Sequence, residues 1–472
     1  MPSPTLTLWG NEECRRLHES TLKVLADTGV EILQDARSLD LYRELGARVE
    51  GTRVRLDPEL VDAALASAPR EWTVKPRGGD TEPLVLRDGD VYFGTGSDCL
   101  YITDPETHQR RRTRIADVEG MAALCEKLPN MDFVMTMGSP EDVSWEVDDL
   151  THAVALLKGT RKPLILTPIN GKRLALIQEM AAVCGEKDSF VVYAMPSPPL
   201  QHDAEALSKV VACAELQIPL VYAPAPCAGS TAPRSVTATV LVANAEVLSG
   251  LVLHQYVRPG APFVYGAGGG AMDMRTMNGD PYTLPEAVVA LQACCDLARH
   301  YGLPSFSYAG NSEAKVLDEQ WSAESALTTM LGALSRATLL HDVGYLEDGM
   351  QSSYESIVLG DELVSYAKAF LREVPLDEYA LALDEIAAAG PGGNHLGTKY
   401  TRRHYREFWT SELFDDAGYE RWTAEGSQTL LDRVRAKVAR LRSEPRAFAL
   451  SAEQAAELDG VVAAELARVQ GV

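Results

Sequence analysis

Between about residues 130 and 400 the chain repeats one unit: a short apolar strand, a corner rich in Gly and Pro, then a helical stretch. The strand candidates are MDFVMTM (131–137), PLILTP (163–168), FVVYAMP (190–196), PLVYAP (219–224), PFVYGAG (262–268), PSFSYAG (304–310), ATLLHDVG (337–344) and a weaker GGNHLGT (392–398). Strands alternating with helices predict parallel pairing through crossover helices. Eight such units predict an α/β fold, a closed (β/α)8 barrel of the TIM type, with its chemistry at the C-terminal ends of the strands. Those ends carry tyrosines, glycines and prolines, and almost no free acid or base.

A barrel takes roughly 250 residues, and the chain has 472. Residues 1–115 are expected to form an N-terminal α+β extension packed on the barrel, 116–401 the barrel, and 402–472 a helical tail that covers it or forms a subunit interface. A net charge of −23 speaks against nucleic acid as a partner. No run of 18 apolar residues predicts a membrane span, and the N-terminus does not read as a signal peptide. Eight scattered cysteines without a Cys-x-x-Cys pair fit a reduced, cytoplasmic protein.

Local signals fill in the elements. Asn11 is a candidate cap for the first helix, and Asp57-Pro58 opens another. The helix over 284–301 has capping-box spacing at Thr283 and Glu286, with Gly302 after its end. Its Cys294 and Cys295 diverge by about 100° on a helix, so at least one is expected in the core. Asp148, Asp149 and His152 read as a solvated helix face.

Gly266, Gly268, Gly269 and Gly270, with Ala271, fit a loose dinucleotide pattern, but loop sequence rather than a helix follows. They read better as a tight corner that lets something bulky, or a partner's flat cofactor, approach the barrel mouth. A phosphate loop and a nucleophile elbow are absent from the sequence. The nine histidines are isolated and no metal site is expected.

Tyr193, Tyr222, Tyr265 and Tyr308 stand near the ends of the third to sixth predicted strands, and Tyr345 follows the seventh. Singly each reads as packing; together they suggest a cage for a quaternary ammonium, each good ring contact giving roughly 0.5–2 kcal/mol. Tyr92 and Phe93 join them as substrate-binding candidates. His341 and His395 are the histidines in predicted strands; His341 is either structural or a donor to a substrate's anionic end. Asn311 and Glu313 lie in the polar loop after the sixth strand. Glu313, Lys315 and Asp318 either form a local ion-pair and cap set or line the site.

Several stretches resemble the trimethylamine methyltransferase family, in order and over nearly the whole chain: GVEILQDARSLDLYRELGARVEGTRVRLDPELVDAALASAP, VYFGTGSDCLYITDPETHQRRRTRIADVEGMAALCEKLPNMDFV, NSEAKVLDEQWSAES, LLHDVGYLEDGMQSSYESIVLGDELV, GGNHLGTKYTRRHYREFW and DDAGYERW. The resemblance implies a TIM-type barrel that moves a methyl group from an amine to the cobalt of a separate corrinoid protein. Cobalamin would then belong to the partner, with no cofactor tightly bound in this chain. The archaeal enzymes carry pyrrolysine after the sixth strand, whereas this chain has only standard residues near Gly310–Ser312. It is therefore similar to the non-pyrrolysine branch, whose members demethylate quaternary amines such as glycine betaine, carnitine or proline betaine.

A quaternary nitrogen leaves neutral without acid assistance, which matches a mouth poor in acid–base pairs. On this reading the tyrosines bind and aim, His341 anchors with Asn311 and Glu313 at the reacting end, and Gly266–Gly270 make room for the corrin ring. The alternatives are direct methyl transfer to tetrahydrofolate and a non-catalytic quaternary-amine binding protein. The family likeness and long tail suggest a homo-oligomer, a dimer or larger.

Overall fold

The computed structural model describes residues 4–78, 81–266, 268–276 and 282–471. Its centre is a parallel barrel of eight staves: β1 (Tyr92–Phe93), β2 (133–134), β3 (Leu164–Leu166), β4 (Phe190–Ala194), β5 (Leu220–Tyr222), β6 (Phe263–Gly266), β7 (Ser305–Tyr308) and β8 (Leu339–His341). Seven are hydrogen-bonded in the order β1-β8-β7-β6-β5-β4-β3. The ring closes through β2, which bridges Gly94 to Phe133 on one side and Val134 to Leu164 on the other. There the Thr95 hydroxyl adds to the backbone bonds of Val134 N to Pro163 O and Ile165 N to Val134 O, accepting from Met135 N at 2.8 Å and donating to Met135 O at 3.2 Å.

The eighth stave corrects the sequence reading. GGNHLGT (392–398) is coil, and His395 is exposed. The place is filled by Tyr92–Phe93, from the stretch expected to form the N-terminal extension, so the loop at Gly310–Ser312 follows β7, Ser305–Tyr308.

Parallel strands covered on both sides are apolar throughout, and alternation sorts their side chains into two layers. Phe133, Met135, Ile165, Val191, Val221, Ala223, Val264, Phe306 and Leu339 fill the interior with Val74, Leu84 and Leu86. These last three come from an antiparallel hairpin, Glu71–Val74 with Leu84–Arg87, that plugs the barrel where its strands begin. Arg77, buried beside it, donates to Ser189 Oγ at 3.0 Å, Thr160 O at 2.7 Å and Lys162 O at 3.0 Å. All three acceptors lie just before β3 or β4.

Around the barrel, helix Val236–Val257 is long and apolar enough to cross a membrane by length and composition, but 72% of its most apolar window is buried inside the protein. It is a core helix of the outer layer. Strand Val30–Leu33 pairs parallel with Gln201–Asp203 and so ties the N-terminal segment to the region after β4. Helices Leu430–Ser443 and Ala452–Gln470 lie back on the barrel, with Lys127 Nζ donating to Leu441 O at 2.6 Å and Lys158 paired to Asp459 at 2.7 Å.

Several end signals differ from expectation. Gly10, not Asn11, caps the first helix, with Glu13 reaching back to its N–H. Helix Pro285–Tyr301 starts from Leu284 without a side-chain cap, so Thr283 and Glu286 form no capping box; Gly302 ends it in the left-handed region at φ 67°. Cys294 and Cys295 are both buried, and all eight cysteines are free.

Candidate active site

Alternation decides which strand-end residues meet. On β4, Val191 and Tyr193 point inward; on β5, Val221 and Ala223 do. Tyr193 pairs with Val221 across the ladder, and Tyr222 pairs with Ala194 and Tyr265. Tyr222 and Tyr265 therefore face the outer layer, which overturns their expected place in a cage. Tyr222 hydrogen-bonds His202 Nδ1 at 2.6 Å, and His202 Nε2 meets Ser249 Oγ at 2.9 Å. Gly250 makes room for it, since a Cβ there would lie 2.4 Å from the ring. The Tyr265 hydroxyl donates to Asn244 Oδ1 at 2.9 Å, and Asn244 Nδ2 donates to Tyr301 and Thr21. Burial holds His202 down to about 4, so it sits in this layer as a neutral ring.

Three further aromatic candidates do not line the cavity between the strand ends. Tyr92 accepts from Val85 N at 3.1 Å and so faces the plug hairpin. Phe93 is buried in the outer layer. Tyr345 is buried with its hydroxyl on Ser97 O.

What remains at the C-terminal ends is a small cavity of about 80 Å³. It is lined by Tyr193 and Met195 after β4, Ala223–Ala225 after β5, Gly268–Gly270 after β6, Phe306 and Tyr308 of β7, and His341 of β8, with Tyr282 beside them. His341 stacks on Phe306 with centroids 4.2 Å apart and 11° between planes. Tyr193 stands 5.2 Å from Phe306 and 6.2 Å from His341. Tyr282 meets Tyr308 edge-on at 5.2 Å, and the Tyr308 hydroxyl donates to Tyr282 O at 2.6 Å. Of the expected tyrosines the structure brings two, Tyr193 and Tyr308, to the cavity, joined by Phe306 and Tyr282.

The polar edge is His341 with its neighbour. His341 Nδ1 lies 2.5 Å from Asp342 Oδ1, which leaves Nε2 as the ring nitrogen free to serve the cavity. Asp342 is buried, neither of its carboxylate oxygens has a hydrogen-bond partner of good geometry among the described residues despite the close His341 Nδ1, and its φ is +74°. Left-handed backbone also occurs at Asp98 (φ 64°) and Met137 (φ 52°), beyond the ends of β1 and β2. Non-glycine residues held there are strained, and such strain gathers at functional sites. Sequence reasoning missed Asp98, Asp342, Phe306 and Tyr282; the available signal was the acid directly after His341.

Asn311 and Glu313 do not line this cavity. Asn311 is buried with neither side-chain atom paired among the described residues, an orphan that marks a site of interest. Glu313 is raised above the usual carboxylate range by burial and by Glu324. Asp318 caps helix Glu319–Ser335 as expected, whereas Lys315 Nζ donates to the backbone Glu313 O at 2.7 Å and forms no ion pair with Glu313 or Asp318 among the described residues. His152 is buried, not on a solvated face; burial lowers it, opposed by Asp98 and Asp149.

The glycine corner divides by cause. A Cβ on Gly266 would sit 2.5 Å from Ala223 Cβ, and one on Gly269 would sit 3.1 Å from Thr239 Cγ2, so both are glycine for packing. A Cβ on Gly268 meets nothing nearer than 3.5 Å, so its bareness leaves the mouth open. Gly270–Ala271 pairs with Cys227–Ala228, and the next helix starts at Pro285, so the corner does not open a helix as a dinucleotide site must. Ala267 and residues 277–281 of this corner and its continuation lie outside the described residues.

A family model described as Trimethylamine methyltransferase (MTTB) matches residues 1–469. A glycine betaine methyltransferase of Desulfitobacterium hafniense (strain Y51) is 32% identical over 437 residues, 90% of each chain. Trimethylamine methyltransferase MttB of Methanosarcina thermophila is 29% identical over 453 residues, 92% of each chain. The crystal structure of monomethylamine methyltransferase (MtmB) from Methanosarcina barkeri superposes with a TM-score of 0.51 over 91% of this chain and 92% of that one, at 14% identity, which shows the fold they share.

Proposed function

The chain belongs to the trimethylamine methyltransferase family and is a methyltransferase, and from that premise we propose that it demethylates a quaternary amine bearing a carboxylate, glycine betaine or a close relative. The acceptor on this reading is a corrinoid protein docked at the strand C-terminal face, in the reducing cytoplasm. The observation that carries it is the cavity itself: aromatic faces from Tyr193, Phe306, Tyr308 and Tyr282 on one side, and a carboxylate-backed His341 on the other.

Ring faces attract a trimethylammonium group through their negative quadrupole. His341, its Nδ1 held by Asp342, can offer Nε2–H to the substrate carboxylate when the ring is protonated. These two grips fix the molecule at both ends and leave one N-methyl to be aimed outward. The amine departs neutral, so no proton has to be delivered to it and no general acid is needed in the cavity. The attraction between rings and nitrogen weakens as charge leaves, so the aromatic set binds and orients more than it accelerates.

The corrinoid supplies a strongly nucleophilic cobalt that takes the methyl group. The bare Gly268 edge fits the approach of such a flat, bulky group, because nothing projects from it. The test is anaerobic incubation with Co(I) cobalamin and a panel of amines. Loss of the Co(I) spectrum together with dimethylglycine formation from glycine betaine is the expected result. Turnover of trimethylamine alone, or of no quaternary amine while the cobalamin stays competent, would overturn the reading.

A further inference from the structure

We propose that Asp98 is the counter-ion for the substrate's quaternary nitrogen, a carboxylate held at the mouth beside Tyr193 that separates a cation from its uncharged isostere. The inference rests on the function proposed above. Asp98 lies in the loop 96–100, just beyond β1, and that loop is pinned on both sides of it. Gly96 O accepts from Met137 N and Cys99 O accepts from Ser139 N, both at 2.9 Å, which ties the loop to the chain leaving β2. The Tyr345 hydroxyl donates to Ser97 O, and a Cβ on Gly96 would lie 2.2 Å from the Tyr345 ring, so the loop is also pressed against the chain leaving β8. Between these ties Asp98 takes the left-handed backbone at φ 64°, with its N–H toward Thr136 Oγ1 at 3.4 Å.

The anchoring leaves the carboxylate itself almost unused. Its Oδ2 accepts from Ser97 Oγ at 2.7 Å, and no cation stands within ion-pair distance of it among the described residues. Of the basic groups whose charge reaches it, Lys209 donates to Pro168 O at 3.2 Å, and burial holds His152 low. Other acids near the mouth are engaged: Asp342 lies against His341 Nδ1, Asp203 caps helix Ala204–Leu216, and Glu347 pairs with Arg110. Asp98 is exposed to water, yet it sits in a recess where lost hydration raises it above its ordinary value, against the Ser97 hydrogen bond and His152. An acid kept there on strained backbone, without a cation beside it, costs stability and repays none. A cation arriving in the recess supplies the missing charge.

Where that charge falls indicates which cation. Burial, then the charges of Asp342 and Asp98, push the Tyr193 phenol up. Both carboxylates thus act on the ring that borders the cavity with Phe306 and His341. Asp342 shares its charge with His341, which leaves Asp98 to face a trimethylammonium group on the Tyr193 ring. Ring faces alone give a shallow attraction, and they pack against an uncharged tert-butyl group as well. A carboxylate in a recess of reduced dielectric reaches several ångströms further and acts on charge alone. Asp98 therefore discriminates against neutral shapes that the rings admit, while His341 reads the other end of the molecule.

The experiment is calorimetric titration of the full-length protein with glycine betaine, tetramethylammonium and the carbon isostere of glycine betaine, 3,3-dimethylbutanoate. Asp98→Asn keeps an acceptor for Ser97 and a side chain that tolerates the left-handed region, so it removes charge alone. The variant should bind both cations about tenfold more weakly than wild type, the scale of one unit charge a few ångströms away at a protein's edge. It should bind 3,3-dimethylbutanoate as well as wild type does, or better. Equal binding of the cations by wild type and variant would overturn the proposal and leave the function standing. A loss of the isostere that matches the loss of the cations would do the same, placing Asp98 in the loop's structure alone. Wild type that binds neither cation would overturn the proposal together with the function beneath it.

Discussion

Strands β4 and β5 each carry a tyrosine near their C-terminal end, and the two rings serve opposite layers of the same wall. Tyr193 faces in and borders a cavity; Tyr222 faces out and is sealed between strand and helix against His202 and Ser249. The difference is one residue of register. It separates a ring placed to meet a ligand from one whose contribution is structural, and no property of tyrosine itself tells them apart.

The comparison can be broken most directly from the outer side. Tyr222→Ala empties a fully buried site and strands His202 Nδ1, so unfolding by denaturant should show a loss of about 3–5 kcal/mol, with the amine KM of the folded fraction unchanged. A variant as stable as wild type would erase the distinction. On the inner side, His341→Ala should raise the KM for glycine betaine by tenfold or more, since a charge-assisted hydrogen bond contributes about 1.5–3 kcal/mol. Tetramethylammonium, which has no carboxylate, should bind the variant as it binds wild type; a parallel loss would place His341 in packing alone. Tyr193→Leu keeps an apolar side chain and removes the ring face, so it should weaken amine binding roughly 2- to 30-fold, the range of about 0.5–2 kcal/mol for one cation–π contact. The melting temperature should barely move, and a large drop there with unchanged binding would put Tyr193 with Tyr222.

A last test concerns Glu246, in the same outer layer, and reads a slope with pH rather than a single loss. Its side chain accepts from Leu200 N, its Oε2 is unpaired among the described residues, and burial pushes it up to about 8. Between its ordinary value and 8 the folded protein holds this proton and the unfolded chain does not. Its contribution to stability is thus complete at low pH and is lost as pH rises toward 8, at up to about 1.4 kcal/mol per pH unit. Glu246→Gln keeps the acceptor and should flatten that slope in melts from pH 5 to 8. An unchanged slope would show that the carboxyl is ionised throughout.

The barrel was legible because PLILTP, FVVYAMP, PLVYAP, PFVYGAG and PSFSYAG are apolar runs between helices, as strands covered on both faces must be. The same covering hid the phase. With no polar face, nothing in FVVYAMP or PLVYAP marks which side is inward, and the tyrosines were grouped by distance from the strand end rather than by register. Stave β1 escaped because Tyr92–Phe93 is short and stands among the strands of the N-terminal segment. GGNHLGT was mistaken for it, though its glycines gave a strand little to hold. His341 was found because it ends an apolar run; Asp342 needed the fold, since its left-handed backbone and its buried carboxylate, close to His341 Nδ1 and otherwise without a partner among the described residues, set it apart from an ordinary loop acid.

The hairpin that plugs the barrel floor turns the interior into a cul-de-sac. Glu71–Val74 and Leu84–Arg87 stand where a second exit would have to be, so on the proposed function fuel, spent fuel and acceptor would share one doorway. With an acceptor seated on that doorway, an amine not yet inside is kept out and a demethylated product cannot leave. Loading would then precede docking and emptying would follow undocking, a timetable imposed by the floor rather than by any group that touches the reacting atoms.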